Sequence, residues 1–107
     1  MKIRESGIYK KWIKNLRDER ARYRINARIE RLKQGNPGNV KPAGEGVSEI
    51  RIDYGPGYRV YYKTTEGCRD SEKEIVILLC GGDKTTQDEN IKQAKKIAAA
   101  YNPDKEV

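Results

Sequence analysis

A chain of 107 residues has room for one domain, and its core must be modest, because hydrophobic and charged residues each make up 36% of it. Histidine is absent, which excludes a His-based metal site or a His general base, and two cysteines, Cys68 and Cys80, are too few for a disulfide framework or a zinc site. The net charge of +7 is uneven, with 13 Lys/Arg against 4 Asp/Glu in residues 1–41 and 10 against 12 in residues 42–107, a bias that suits a polyanion such as nucleic acid.

In chain order, residues 1–5 read as a short strand around Ile3, and Ser6-Gly7 breaks it and caps a first helix. Ile8, Trp12, Ile13 and Leu16 then recur at helical spacing. A second helix is expected from Glu19 to Gln34, with Ala21, Ile25, Ile29 and Leu32 inward and Arg20, Arg24, Arg28 and Arg31 outward. Gly35-Asn36-Pro37-Gly38 stops it, and the Gly/Pro/Asn-rich stretch from Asn36 to Gly46 reads as an ordered loop.

Two alternating strands come next, at about 47–54 and 58–65, joined by Gly55-Pro56-Gly57. Alternation puts Ile50 and Ile52 on one face with Tyr58, Val60 and Tyr62. Glu49, Arg51 and Asp53 fall on the other, with Arg59, Tyr61 and Lys63, and this second face is expected to be open. After a polar turn containing Cys68, Ile75 to Leu79 is apolar at every position and reads as a central strand covered on both sides, ending at a buried Cys80. Gly81-Gly82-Asp83-Lys84 reads as its exit turn. The spacing of Thr86 and Glu89 predicts a capping box for a last helix, whose apolar stripe is Ile91, Ala94, Ile97, Ala98 and Tyr101. The order β-α-α-β-β-β-α predicts an α+β fold, a mainly antiparallel sheet with helices packed on one face. Residues 1–101 form the expected domain and 102–107 a flexible tail. No apolar run reaches membrane-spanning length, and the N-terminus lacks a secretory apolar stretch, so a soluble, cytoplasmic protein with no membrane partner is expected.

The hairpin ending Gly57-Tyr58-Arg59-Val60-Tyr61-Tyr62, followed by the run from Leu78 to Gln87 (LLCGGDKTTQ), resembles the RelE/HigB superfamily of bacterial toxins, in particular the branch of addiction-module killer proteins. The likeness follows the element order from Met1 to about Tyr101. It implies the toxin of a type II toxin–antitoxin system: a compact endoribonuclease without cofactor or metal that cuts mRNA in the ribosomal A site. It also implies a cognate antitoxin, in this branch a helix-turn-helix protein, through which the pair would bind operator DNA.

Metal-free RNA cleavage uses the 2′-hydroxyl as nucleophile and needs an aligned backbone, charge stabilisation and proton transfer. Arg59 matches the family's strand arginine and is assigned the charge role, since a guanidinium can grip two phosphate oxygens. Arg51, on the same face, is assigned to the scissile or a neighbouring phosphate. Lys84 is a further basic catalytic candidate by resemblance. Glu49, two residues before Arg51, is the candidate general base if its pKa is raised, although better-known relatives carry lysine at what corresponds to this position. Asp83 is an alternative, orienting Lys84 or Arg59. Tyr61 is a candidate for base stacking, Lys63 for RNA binding, and Arg20, Arg24, Arg28 and Arg31 for ribosomal RNA. A non-catalytic module binding nucleic acid or antitoxin in a repressor complex is the alternative from a different class.

Overall fold

The structure, a computed structural model, describes residues 2–66 and 74–101. The turn containing Cys68 and the tail 102–107 lie outside the described residues. The elements are β1 (Lys2–Glu5), α1 (Gly7–Asn15), α2 (Glu19–Lys33), β2 (Val40–Gly44), β3 (Val47–Ile52), β4 (Tyr58–Glu66), β5 (Glu74–Gly82), a single 3₁₀ turn (Lys84–Thr86) and α3 (Gln87–Ala100). They form an α+β domain around one sheet of order β1-β5-β4-β3-β2. The pairings are antiparallel except β1 with β5, where Ile3 lies against Val76.

Strand β5 is the centre of packing. Its run from Ile75 to Cys80 is buried throughout, as a sequence apolar at every position requires. Val76 and Leu78 join Ile50, Ile52, Val60 and Tyr62 in a core covered by Tyr9 of α1 and by Ile25 and Leu32 of α2. Ile75, Ile77, Leu79 and Cys80 join Val47 and Tyr61 in a second core on the opposite face, closed by Ala94 and Ala98 of α3. The helices therefore flank the sheet rather than share one face of it. The small side chains of α3 let that helix lie close on the face expected to be open.

The sequence-based expectations need four further corrections. Part of the stretch expected to be a loop pairs as edge strand β2, where Pro42 is tolerated because the edge needs fewer donors. On α1, Tyr9 is the buried residue and Ile8 is exposed, so the helix turns a slightly different stripe inward. No capping box forms from Thr86 to Glu89, because Thr86 is already engaged in one with Asp83 across the 3₁₀ turn. Gly81 and Gly82 belong to β5, paired with Val60 and Arg59, rather than to an exit turn. Ser6 does cap α1, its hydroxyl accepting from Tyr9 N at 3.0 Å and donating to the Leu79 carbonyl at 2.5 Å.

Pairing between β4 and β5 skips one residue: Tyr61 faces Cys80, and Tyr62 faces Leu78. Leu79 is thus a bulge, and it leaves Leu79 and Cys80 together in the α3-side core. Beyond Cys80 the strand carries no side chains. A Cβ on Gly81 would collide with the Trp12 ring, and one on Gly82 would collide with Asn90 Oδ1 of α3. Gly81→Ala is therefore expected to destabilise the fold by about 1–3 kcal/mol through overpacking. The single tryptophan is Trp12, so urea unfolding followed by its fluorescence checks the loss directly.

Candidate functional site

The β3–β4 hairpin builds a cleft of about 360 Å³ lined by Asn39, Arg51, Ile52, Asp53, Gly55, Pro56, Gly57, Arg59 and Lys84. Register explains its charge. Arg51 of β3 is directly opposite Arg59 of β4, so their Cβ atoms are separated by only about 5 Å and two like charges face each other. Gly55 and Gly57 carry the loop round Pro56 with φ of 58° and 82°, a conformation that side chains resist. Lys84 packs against the same loop, since a Cβ on Gly57 would lie in ordinary contact with Lys84 Cβ, at 3.4 Å. Three of the four residues expected to be catalytic, Arg51, Arg59 and Lys84, thus meet in one cleft.

Glu49, the fourth, lies beneath them in a different role. It is 2% exposed and its carboxylate accepts from Arg51 Nε at 2.9 Å, Tyr61 Oη at 3.0 Å and Gln87 Nε2 at 2.8 Å. Burial pushes its pKa up, but the hydrogen bonds from Arg51, Gln87 and Tyr61 and the Arg51 charge outweigh this, and the net shift is downward. A general base needs the opposite shift, so Glu49 is corrected to the group that aims Arg51. Tyr61 is also corrected. It is 0% exposed within the α3-side core, which leaves no ring face for a base. Its phenol is raised by burial and by its bond to Glu49, and it stays protonated as a donor.

Arg59 is 9% exposed, and its Nε is buried without a hydrogen-bond partner. Such a cation is costly unless something in the cleft answers it. Asp83 does not. Its carboxylate accepts from Thr85 N at 2.9 Å and from the Thr85 hydroxyl at 2.5 Å. Those bonds hold its pKa down. Lys63 is absent from the cleft. It pairs with Val47, four residues and about 13 Å along β4 from Arg59.

Arg20, Arg24, Arg28 and Arg31 of α2 line a second groove, of about 770 Å³, together with Glu19, Tyr23, Ala27, Ile52 and Asp53. Arg28 turns inward there, donating to the carbonyls of Arg51 at 2.7 Å, Pro37 at 3.0 Å and Asn39 at 3.2 Å. Its role is corrected from outward RNA contact to a clamp on the backbone of β3 and on the segment leading into β2. Arg24 stacks on the Tyr54 ring, 4.6 Å from its centroid. Sequence reasoning missed Tyr23 and Gln87. An aromatic among the outward arginines of α2 was the available signal for Tyr23. Nothing local marked Gln87, whose partner Glu49 is 38 residues away.

Fold and site together define a small α+β protein with a cationic cleft at one end of its sheet. No family model matches the chain. It is 48% identical over 98 residues to a Haemophilus influenzae protein described as an uncharacterized protein, across 92% of this chain and 93% of that relative, and it belongs to the same family. Among the described residues, no helix is long and apolar enough to cross a membrane.

The depressed pKa of Glu49 fixes the sign of a pH effect. Its contribution to stability is complete above the unfolded-state value of about 4.3 and is lost as pH falls through the lower folded-state value. Glu49→Gln, which removes the charge, is expected to cost about 1.5–3 kcal/mol at neutral pH. It should also flatten the fall in stability below about pH 4 relative to the native chain, as read from urea unfolding across pH.

Proposed function

We propose that this chain is the toxin of a type II toxin–antitoxin system, a member of the RelE/HigB superfamily, acting as a ribosome-dependent endoribonuclease on mRNA in the cytoplasm. The observation that carries the reading is the opposition of Arg51 and Arg59 with Lys84 beside them, one guanidinium buried and its Nε unpaired. Attack by the 2′-hydroxyl on the adjacent phosphorus places extra negative charge on the non-bridging oxygens. As the 2′-oxygen bonds to phosphorus its proton passes to solvent water, the bond to the 5′-oxygen breaks, and the products are a cyclic phosphate and a free 5′-hydroxyl. Fixed cations aimed at that charge stabilise it without reorganising during the reaction. In this reading Arg59 meets the phosphoryl oxygens from below, and Arg51, locked by Glu49, meets them from the neighbouring strand. Lys84, carried on the 3₁₀ turn, brings a third charge and a transferable proton to the leaving oxygen. The reading assigns no proton transfer to Glu49.

The partners follow from the same reading. Ribosome and mRNA meet the cleft, and a cognate antitoxin covers it, bringing operator DNA to the pair. A second reading, a module that binds nucleic acid or antitoxin without cutting, draws support from two of the carboxylates near the cleft. Glu49 and Asp83 are both held below their ordinary pKa, and neither is suited to accept a proton near neutrality.

The deciding experiment is mRNA cleavage in a purified bacterial translation reaction, with and without ribosomes, comparing the native chain with Arg59→Ala. Ribosome-dependent cutting that drops by about 10²–10³-fold or more in the variant is expected. Absence of cutting by both proteins, with RNA or antitoxin still bound, favours the binding module. Arg59→Met separates activity from folding. It removes a mostly buried guanidinium whose Nε has no hydrogen-bond partner and keeps the stem, so it should melt at or above the native temperature while losing cleavage. A lower melting temperature would contradict the missing partner at Arg59 Nε.

A further inference from the structure

The α2 groove and the cleft are not separate places on the surface. Ile52 and Asp53 line both, so the floor of one runs into the other at the end of β3. Along α2, Arg20, Tyr23, Arg24 and Arg31 fall on the stripe that faces this groove, at spacings of three, four and seven residues. Tyr23 is 76% exposed, one of only two large hydrophobic residues left exposed among those described. A ring stationed between cations serves no packing purpose there. The combination fits a polyanion that carries flat apolar groups between its charges, which is the chemistry of single-stranded nucleic acid. A duplex keeps its bases stacked inside and has no use for an exposed ring.

We infer that the α2 groove carries a single-stranded stretch of the RNA held in the cleft, with one base stacked on Tyr23 and the flanking phosphates on Arg20 and Arg31. The strand enters past Asp53, where the two hollows join. The volume of about 770 Å³ lies in the range of sites that enclose a ligand. Arg28 is committed to backbone carbonyls and takes no part. This inference rests on the ribonuclease reading for the identity of the strand, but its test does not depend on cutting.

The test measures fluorescence polarisation of a labelled oligouridylate and of an RNA duplex of equal length against the native chain, Tyr23→Ala, Tyr23→Phe, Arg20→Gln and Arg31→Gln. These side chains are exposed, so the variants should fold, which circular dichroism checks. Tyr23→Ala is expected to weaken single-strand binding about 5- to 150-fold, with Tyr23→Phe close to native. Each arginine change should lower the salt slope by about 0.7. Native affinity in Tyr23→Ala overturns the inference, as does an equal loss of duplex binding. Cleavage that depends on Arg59 with unchanged binding in Tyr23→Ala sinks this inference alone. Binding that depends on Tyr23 without any cleavage sinks the ribonuclease reading and leaves the single-strand track standing.

Discussion

Glu49 is a single carboxylate that ties three elements together. Its oxygens take hydrogen bonds from Arg51 on its own strand, from Tyr61 on β4 and from Gln87 at the start of α3. Buried charges persist only when their bonding capacity is filled, and this one has donors on both oxygens. Because α3 provides one donor, the seating of that helix on the sheet and the direction of Arg51 are set together. The same anion lies on the face shared by Arg51 and Arg59, where it offsets part of their repulsion. Remove it, and the face is left with opposed cations over a buried phenol.

That offset is incomplete, and the shortfall has a use. Two strand positions directly opposite each other ordinarily carry complementary or apolar partners, yet here both carry arginine. Arg59 gives up most of its hydration and finds no partner for Nε among the described residues. Local rules of stability are usually broken where a protein does something other than fold. The violation is confined to the end of the hairpin where Lys84 and the Gly55–Gly57 loop also arrive.

Much of this arrangement could be read from residue order. Alternation placed Ile50, Ile52, Val60 and Tyr62 together, and they do share a core. The uninterrupted apolar run of β5 foretold cover on both faces. Alternation separates two faces but does not say which of them a helix will occupy. The cover comes from α3, whose small residues Ala94 and Ala98 fit against Tyr61 and Leu79, and that contact is tertiary. For the same reason Glu49 looked like a free acid, because two of its three donors come from other elements. Arg28 looked like its outward neighbours because helical spacing ignores the reach of a long side chain. Strand β2 was hidden by Pro42, a residue that argues against a strand everywhere except at an edge. The residues that meet in the cleft were legible, whereas their protonation and support were not.

The bulge at Leu79 divides β5 into two stretches of opposite parity. Before it, odd-numbered residues belong to the α3 side and even-numbered ones to the side of α1 and α2. After it, the assignment is exchanged: Cys80 and Gly82 face α3, and Gly81 faces Trp12. A strand of strict alternation would turn Gly82 toward Trp12 and Gly81 toward Asn90. Cys80 would also leave the α3-side core. The inserted residue therefore works as a frame shift written into the fold. It keeps the hydrophobic half of the strand and its bare, cleft-side half in the phase each requires, so that a change in length at this point would alter both helix seats at once.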